Sequence, residues 1–379
     1  MQPLKVLFVF GTRPEAIKLC PLILAMRQRG QFDARVCVTA QHREMLDAML
    51  ARFGVEADND LDVMAPDQPL SLLTARILER LDGVLVRQRP QLVLVQGDTT
   101  TTMAGALAAF YRRIPVGHVE AGLRTGDLSQ PFPEEANRVL TSRLATLHFA
   151  PTPRAAAHLR QEGVPEDRIF VTGNTGIDAL LYTRERLERG EWPGFDAGVP
   201  APGRKLVLMT AHRRESFGEG FLRLCEGVRR IAARGDTEVV YPVHPNPNVR
   251  TVVERELGGV ERVRLIEPLD YVPFVDLMRR ADLLLTDSGG VQEEGPSFGK
   301  PVLVMREKTE RQEAVEAGAA ILVGTDPARI AAEAGRLLDS AEAREAFTRV
   351  RNPFGDGRAS LRILDAILSF FNTSAMARG

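Results

Sequence analysis

The sequence predicts an α/β protein built from two doubly wound, Rossmann-like domains. Short apolar runs alternate with helix-length segments along the whole chain, which is the pattern of right-handed βαβ units that form parallel, helix-covered sheets. Near the middle, a proline- and glycine-rich stretch without periodicity, 191–204, interrupts the alternation before it restarts. A chain of 379 residues is also long enough for two hydrophobic cores.

Each predicted strand is a short apolar run that ends at a glycine or a polar residue. In the first half, strands are predicted at 6–10, 35–39, 92–95, 115–119, 147–150 and 169–172, and helices at 41–53, 69–87 and 100–111, with others after Gly11 and from Pro133. In the second half, strands are predicted at 205–210, 238–243, 262–266, 282–286 and 301–305, and helices at 218–233, 246–256 and 272–280. We expect an N-terminal domain, 1–172, and a C-terminal domain, 173–357. Ligands are expected in the cleft between them, at the carboxyl ends of the strands.

Composition excludes several functional classes. Lys and Arg number 49 and Asp and Glu 50, so no bulk charge attracts nucleic acid or an anionic membrane. Three scattered cysteines, Cys20, Cys37 and Cys225, lie in apolar segments and predict reduced core residues of a cytosolic protein. No apolar run has the length of a membrane span, and the apolar N-terminus is interpreted as a first strand.

The stretch from 283 to 311 has the pattern of a phosphate-binding turn. An apolar run ends at Asp287, a turn of Ser288, Gly289 and Gly290 follows, and a helix is predicted from there to about 299. Free backbone N–H groups and the helix dipole both favour an anion at such a helix start. Two carboxylates in this helix, Glu293 and Glu294, suit the two hydroxyls of a ribose. The alternative is a packed βα turn with two solvated glutamates.

Further polar residues follow the predicted strands, at the point where each strand ends. Because the carboxyl ends of parallel strands share one edge of a sheet, we expect these side chains to gather there. They are Arg13, Lys18, Asp98, His118, Glu120, His212, Arg213, Arg214, Glu215 and His244, with Glu134 at a helix start. Carboxylates and a histidine facing a diphosphate-binding turn predict an acid/base site for a nucleotide sugar.

Each of these residues has a simpler interpretation when it is taken alone. Asp98 precedes four threonines and could be only a helix N-cap. Glu134 lies in a first helical turn, where the dipole favours a carboxylate in any case. His118 could be packed in the core, and His212 could belong to a solvated charge cluster.

Nine segments of the chain resemble one family in sequence, order and spacing. They are GTRPEAIKLCPL (11–22), QHREMLD (41–47), QGDTTTTMAGALAAF (96–110), HVEAGLRTGD (118–127), PFPEEANR (131–138), TAHRRESFG (210–218), VHPNPNV (243–249), TDSGGVQEEGPSFGKPVLVMREKTERQEA (286–314) and NPFGDGRAS (352–360). This set resembles the non-hydrolysing UDP-N-acetylglucosamine 2-epimerases. The resemblance implies the two-domain GT-B fold, with UDP bound by the C-terminal domain. It also implies that a final helix, 358–379, packs back on the N-terminal domain.

The resemblance implies a role for each matching residue. Asp98, Glu120 and Glu134 are implied to be catalytic, with His212 also required. The basic residues Arg13 and Lys18 are implied to bind on the phosphate side of the substrate. Contacts to UDP are implied for Phe274, Ser288, Gly289, Gly290, Glu294 and Arg311.

Bacterial members of this family have a second, regulatory site for UDP-N-acetylglucosamine. Candidate residues for such a site are Gln41, His42, Arg214 and His244. Glu44 and Asp67 stand where some regulated members have glutamine and arginine. Their negative charge near a second diphosphate predicts weak or absent activation.

The chemistry of epimerisation at carbon 2 favours an elimination. The carbon 2 hydrogen has no adjacent carbonyl, so either a transient oxidation or loss of the anomeric leaving group must come first. The Gly11 turn lacks the GxGxxG spacing, so nicotinamide is not implied. No HExxH or paired CxxC spacing indicates a metal. We therefore expect a glycal intermediate formed by departure of UDP, with no cofactor.

Three other functions share parts of this pattern. A GT-B glycosyltransferase would have the same nucleotide half, a hydrolysing epimerase would release the free sugar, and a silent sensor would only bind the UDP-sugar. The full set of carboxylates favours the epimerase. We expect a cytoplasmic homodimer that binds UDP-N-acetylglucosamine and UDP, and whose product supplies cell-surface polysaccharide.

Overall fold

The chain folds into two compact units, each built on its own parallel sheet. The computed structural model describes residues 2–39, 43–65, 68–196, 198–213 and 216–376. Unit 1 comprises Met1–Ala179 and Phe354–Gly379, and unit 2 comprises Leu180–Pro353. Both are α/β units with helices between successive parallel strands, so the predicted fold class is confirmed.

Unit 1 is organised around a seven-stranded sheet. Its strands are β1 Leu4–Phe10, β2 Phe32–Val38, β3 Asn59–Asp60, β4 Leu92–Gln96, β5 Val116–Val119, β6 Leu147–Ala150 and β7 Ile169–Val171. The helices that connect them are α1 Arg13–Arg27, α2 Arg43–Phe53, α3 Leu70–Gln88, α4 Thr100–Tyr111, α5 Glu134–Leu144 and α6 Pro153–Gln161, and α7 Thr175–Glu188 leads into unit 2. The strand order is β3-β2-β1-β4-β5-β6-β7. The central strands are buried on both faces, which explains their continuous apolar sequences.

Unit 2 repeats this plan with six strands. They are β8 Lys205–Thr210, β9 Thr237–Pro242, β10 Val263–Ile266, β11 Leu283–Thr286, β12 Val302–Val304 and β13 Ile321–Leu322. The helices are α8 Glu219–Ala232, α9 Pro247–Leu257, α10 Tyr271–Arg280, α11 Gly289–Glu294, α12 Gln312–Glu316, α13 Pro327–Asp339 and α14 Ala341–Thr348. The order is β10-β9-β8-β11-β12-β13, and the last helix of the chain is α15 Ala359–Met376.

The strand order reverses once in each sheet, and these reversals position the candidate sites. In unit 1 the connections diverge between β1 and β4, and in unit 2 between β8 and β11. Loops leaving such a pair of strands turn away from each other and open a crevice at the carboxyl edge, where doubly wound folds bind ligands.

The helix predicted from Gly290 to about 299 is shorter than expected. The α-helix ends at Glu294, and a 3-10 turn, Gly295–Phe298, follows. Pro296 has no N–H to continue the α-helical hydrogen bonds. A side chain at Gly295 would also collide with Leu284 and Val302, because a Cβ there would lie 2.6 and 2.8 Å from their methyl carbons.

The three cysteines are core residues, as predicted. Cys20, Cys37 and Cys225 are buried and unpaired. Burial raises the pKa of the Cys20 and Cys37 thiols to about 12 and that of Cys225 to about 11, so all three stay protonated at neutral pH. Among the described residues, none of the helices combines the length and apolar character needed to cross a bilayer.

A buried carboxylate anchors the C-terminal helix in unit 1. Asp178 on α7 accepts hydrogen bonds from the backbone N–H groups of Ala359 and Ser360, at 3.1 and 2.8 Å. These groups open α15, where N–H donors have no partner within the helix. Further along the same helix, Asp365 forms an exposed ion pair of 2.7 Å with Arg29.

We expect Asp178→Ala to lower the free energy of unfolding by about 1–2 kcal/mol, because it leaves the start of α15 uncapped in a buried place. Asp365→Ala, on the same helix, should change it by less than about 0.5 kcal/mol, because its ion pair is exposed. Urea denaturation followed by circular dichroism measures both. Equal effects of the two substitutions would show that Asp178 does not anchor the helix.

Candidate active site

A buried glutamate, Glu15, joins the loops that leave β1 and β4 in unit 1. Its Oε2 accepts the N–H groups of Gly11 and Thr12, at 3.0 and 2.8 Å, and the Thr12 hydroxyl at 2.7 Å. Its Oε1 accepts the hydroxyls of Thr99 at 2.7 Å and Thr102 at 3.3 Å. Burial raises the pKa of Glu15, and the hydrogen bonds from Gly11, Thr12 and Thr99 oppose this rise.

Glu15 therefore fixes the two loops that carry predicted site residues. Arg13 and Lys18 lie in the first turns of α1, and Asp98 directly precedes Thr99. Sequence reasoning missed Glu15, although the capping-box spacing T-x-x-E from Thr12 to Glu15 was visible and is formed in the structure.

Glu120 is held in a strained backbone conformation at the end of β5. Its φ is 65°, in the left-handed region that residues other than glycine rarely adopt. Its Oε2 accepts hydrogen bonds of 2.5 Å from the ammonium of Lys18 and from the side-chain amide of Gln96. Strain of this kind persists only where surrounding contacts enforce it, and it concentrates at functional sites. The structure thus brings Lys18 and Glu120 together.

Asp98 is held by α5 and does not cap α4. Its Oδ2 accepts from Nε and Nη2 of Arg138, at 3.0 and 2.7 Å, and its carbonyl accepts from Asn137 at 2.9 Å. The N-cap of α4 is Thr99, whose hydroxyl accepts from the N–H of Thr102. The simple capping interpretation of Asp98 is therefore wrong. Arg138 was not predicted, because nothing in its local sequence marks a partner 40 residues away.

Glu134 is the first residue of α5, and one of its carboxylate oxygens lacks a partner. Glu134, Asn137 and Arg138 are three and four residues apart, so they share one face of the helix. Asn137 and Arg138 use that face to contact Asp98, which places Glu134 one turn before these contacts. Its Oε2 is buried without a hydrogen bond to any described residue. A buried oxygen left unsatisfied indicates a group that a ligand or water completes.

His118 is a packed residue. It is fully buried on β5, and its Nε2 donates to the carbonyl of Gly97 at 2.7 Å. Burial lowers the pKa of His118 to about 3, so the ring is neutral at physiological pH. Its contact supports the backbone next to Asp98.

In unit 2, a buried aspartate joins the loops that leave β8 and β11. Asp287 is completely buried, and its Oδ2 accepts the N–H groups of His212 and Arg213 at 2.7 and 2.8 Å. Its Oδ1 lies 3.5 Å from Nδ1 of His212 and has no hydrogen-bond partner among the described residues. Sequence reasoning treated Asp287 only as a strand end.

His212 stacks on His244, with ring centroids 5.3 Å apart and planes 16° from parallel. Burial lowers the pKa of His212, an effect that the nearby Asp287 carboxylate opposes, so the imidazole is neutral at pH 7. Three candidates for a regulatory site, Gln41, His42 and Arg214, lie outside the described residues, as do Asp67 and Glu215. His244 alone of that predicted set can be placed.

The predicted phosphate turn is formed at the start of α11. Ser288 occupies the N-cap position, and Gly289 and Gly290 begin the helix. A Cβ on Gly289 would lie 3.1–3.3 Å from the guanidinium of Arg311, so glycine permits this cation to lie against the helix start. Free N–H groups, the positive end of the dipole and Arg311 thus combine at one place.

Glu293 and Glu294 do not act as a pair. Glu293 is buried and accepts a hydrogen bond of 2.8 Å from Nε of Arg311. Glu293 thus has a partner in Arg311, and the predicted ribose contact is kept for Glu294. Glu294 is half-buried, and Phe274 is half-buried in the first turn of α10.

The described residues contain no cluster of three His, Cys, Asp or Glu side chains that could hold a metal ion. The polar groups at the two reversals of strand order are carboxylates, cations, imidazoles and backbone N–H groups. Two consecutive Rossmann-like units with such groups at both sheet edges indicate a protein of the GT-B fold class.

Comparison with known proteins gives the family. The family described as UDP-N-acetylglucosamine 2-epimerase matches residues 24–368. The chain is 55% identical over 372 residues to UDP-N-acetylglucosamine 2-epimerase of Salmonella typhimurium, covering 97% of this chain and 99% of the relative. It is also 55% identical over 374 residues to the Escherichia coli K12 protein of that name, covering 96% and 98%. The chain belongs to the UDP-N-acetylglucosamine 2-epimerase family.

Solved structures support the same family assignment. The crystal structure of UDP-GlcNAc 2-epimerase from Neisseria meningitidis bound to UDP-GlcNAc is 47% identical, with a TM-score of 0.86 over 97% of this chain and 100% of that one. The Methanocaldococcus jannaschii enzyme, in complex with UDP-GlcNAc and UDP, is 34% identical, with a TM-score of 0.77 over 97% and 100%.

We expect Glu15→Ala to release both loops of unit 1, because two N–H groups lose their buried acceptor. Amide hydrogen exchange should lose protection at Gly11 and Thr12, and the free energy of unfolding should fall by about 2–3 kcal/mol. Glu15→Gln should retain most of the protection, since its carbonyl oxygen can take the N–H donors while its amide faces hydroxyls that rotate to accept.

Glu44→Ala, which removes an exposed glutamate of α2, is the control and should change neither quantity. Unaltered exchange at Gly11 and Thr12 in Glu15→Ala would show that Glu15 does not hold the loops.

Proposed function

We propose that this protein is a non-hydrolysing UDP-N-acetylglucosamine 2-epimerase, an isomerase that interconverts UDP-N-acetylglucosamine and UDP-N-acetylmannosamine. The observation that carries the proposal is the group of carboxylates on one edge of unit 1, Asp98, Glu120 and Glu134, in a chain of this family. Relatives crystallised with UDP-GlcNAc support the choice of substrate.

The proposed reaction is an anti or syn elimination followed by re-addition. A base removes the proton from carbon 2 while the bond between carbon 1 and the β-phosphate oxygen breaks. UDP leaves with the electron pair, and a double bond forms between carbons 1 and 2 of the glycal. Protonation of carbon 2 on the opposite face and return of UDP to carbon 1 give the epimer. No step of this elimination and re-addition transfers a hydride, so this route needs no nicotinamide.

Proton transfer is assigned to unit 1. Inversion at carbon 2 needs a base on one face of the sugar ring and an acid on the other, and several carboxyl groups on one edge can supply both. Among the described residues, Lys18 and Gln96 donate to Glu120, and both use its Oε2, which leaves Oε1 available to exchange a proton. Asp98 is oriented by Arg138, and Glu134 has an unsatisfied buried oxygen.

Stabilisation of the departing diphosphate is assigned to unit 2 and to the basic residues Arg13 and Lys18. N–H groups at the start of α11 and the guanidinium of Arg311 are preorganised donors for the charge that develops on UDP as the bond breaks. His212 is neutral and fixed by backbone contacts, so it suits hydrogen bonding to the substrate rather than a permanent charge.

Two related functions differ by the fate of the intermediate. A hydrolysing epimerase would let water capture it and release free N-acetylmannosamine. A GT-B glycosyltransferase would pass the sugar to an acceptor. The carboxylate group in unit 1 favours proton transfer at carbon 2, which a transferase does not need.

We further propose that the protein is a cytoplasmic homodimer whose product supplies cell-surface polysaccharide. Free, buried cysteines suit a reducing compartment. Exposed apolar side chains on the packed helices α3 and α4, Val86, Phe110 and Tyr111, support a subunit interface in unit 1.

Proton NMR of the purified protein with UDP-N-acetylglucosamine in deuterated water tests the activity. We expect UDP-N-acetylmannosamine to accumulate with deuterium at carbon 2, because the removed proton exchanges with solvent. Conversion with the original hydrogen retained would argue against proton abstraction. Free sugar as the sole product would identify a hydrolase.

Substitution of the carboxylates tests their roles. Asp98→Asn, Glu120→Gln and Glu134→Gln should each reduce kcat by roughly a hundredfold or more, the usual scale of general acid–base catalysis. Asp127→Asn, at an exposed site in the same unit, is the matched control and should keep full activity. A carboxylate variant that folds and turns over at the control rate would remove that residue from the catalytic group.

A further inference from the structure

Unit 1 contains a cavity on the edge opposite to its carboxylates. It has a volume of about 310 Å³ and opens at the amino end of β6, with walls that include Arg143, Ala145, His148, Val164, Pro165 and Arg168. The strands are parallel, so Glu120, which follows β5, lies at the other end of the sheet. The four-residue length of β6 separates the two edges by about 13 Å.

The wall of the cavity is basic. Arg143 and Arg168 both line it, and none of its described lining residues is acidic. Arg143 uses Nη1 to contact the carbonyl of Glu162, and its remaining guanidinium N–H groups can still donate. Arg168 is held in place by the ring of Phe370 on α15, whose centre lies 4.7 Å from its guanidinium, and by the exposed Asp167, whose Oδ2 lies 3.4 Å from its Nε.

Two polar atoms of lining residues are buried without a hydrogen bond to any residue that the structure describes. They are Nη1 of Arg168 and Nδ1 of His148. Nη1 of Arg168 is a buried, charged donor, and leaving it without an acceptor is costly, which indicates that a bound group completes it. His148 itself is almost fully buried, and burial lowers its pKa to about 4, an effect that a hydrogen bond to the backbone of Ala145 opposes.

The donors and the apolar walls select the kind of ligand. Two guanidinium groups match an oxyanion with several acceptor oxygens, since charge-assisted bonds from arginine to phosphate are strong. The volume is about ten times the share of one water in the liquid, so a phosphate group would leave space for an organic portion. Ala145, Val164 and Pro165 present apolar surface to that portion.

We propose that this cavity is a second ligand site, which binds the phosphate group of a small organic phosphate monoester through Arg143 and Arg168, with His148 beside the bound anion. The site is separate from the proposed active site and does not depend on it. Neither the family resemblance nor the proposed acid/base chemistry assigns a role to Arg143, Arg168 or His148.

Histidine-selective NMR of the full-length protein, with phenyl phosphate as the probe, tests this proposal. UDP at saturating concentration keeps the probe from the phosphate turn of unit 2, and the resonances of His212 and His244 report that site. The His148 resonance, identified by its loss in His148→Gln, should shift saturably, and the pKa of His148 should rise because an anion stabilises its protonated form. Phenol, which has the ring without the anion, should cause no such shift.

Arginine variants supply the decisive comparison. Arg143→Gln and Arg168→Gln should each weaken binding of phenyl phosphate by roughly tenfold or more. Arg160→Gln, which removes a neighbouring exposed arginine outside the cavity, should leave binding unchanged. Because Arg143 is exposed, Arg143→Gln should fold, and it tests the proposal even if Arg168→Gln does not fold. An unmoved His148 resonance, an equal response to phenol, or undiminished binding in Arg143→Gln would overturn the proposal.

Discussion

The arrangement of both candidate sites depends on one kind of interaction, a buried carboxylate that accepts backbone N–H groups at a reversal of strand order. In unit 1, Glu15 takes the N–H groups of Gly11 and Thr12 and the hydroxyl of Thr99, so it links the loops after β1 and β4. In unit 2, Asp287 at the end of β11 takes the N–H groups of His212 and Arg213 after β8. Loops that a doubly wound sheet sends in opposite directions are thereby held in fixed positions.

This interaction matters because a reaction through an unstable intermediate tolerates little movement of its acid, base and anion-binding groups. A carboxylate buried without a cationic partner is unfavourable, and several short hydrogen bonds must offset the loss of hydration. Glu15 shows this balance, since burial raises its pKa while four hydrogen bonds, from Gly11, Thr12 and Thr99, oppose the rise. The proposed catalytic residues are held by direct ion pairs, Glu120 by Lys18 and Asp98 by Arg138. The strained backbone of Glu120 likewise fixes the position of its carboxylate.

Sequence patterns predicted the framework well because buried parallel strands and their helices leave a local signal. The strands 147–150 and 205–210 and the helix 100–111 were predicted with the bounds that the structure has. The two-residue strands β3 and β13 were missed, since two residues carry no periodicity. Family resemblance selected candidate side chains, and their individual roles remain predictions. The partners that fix them could not be predicted, because contacts such as Asp287 with His212 join residues 75 positions apart and leave no local pattern.

The proposed roles of the two units depend on one chemical event, the breakage of the bond between carbon 1 of the sugar and the diphosphate. Positional isotope exchange measures it directly, with UDP-N-acetylglucosamine that carries oxygen-18 in the bridge between carbon 1 and the β-phosphorus. If UDP departs during turnover, rotation of its β-phosphate should move the label into the non-bridging positions, which phosphorus NMR resolves by the isotope shift. Epimer that forms while all of the label stays in the bridge would contradict elimination, and with it the roles assigned to Arg311 and the start of α11.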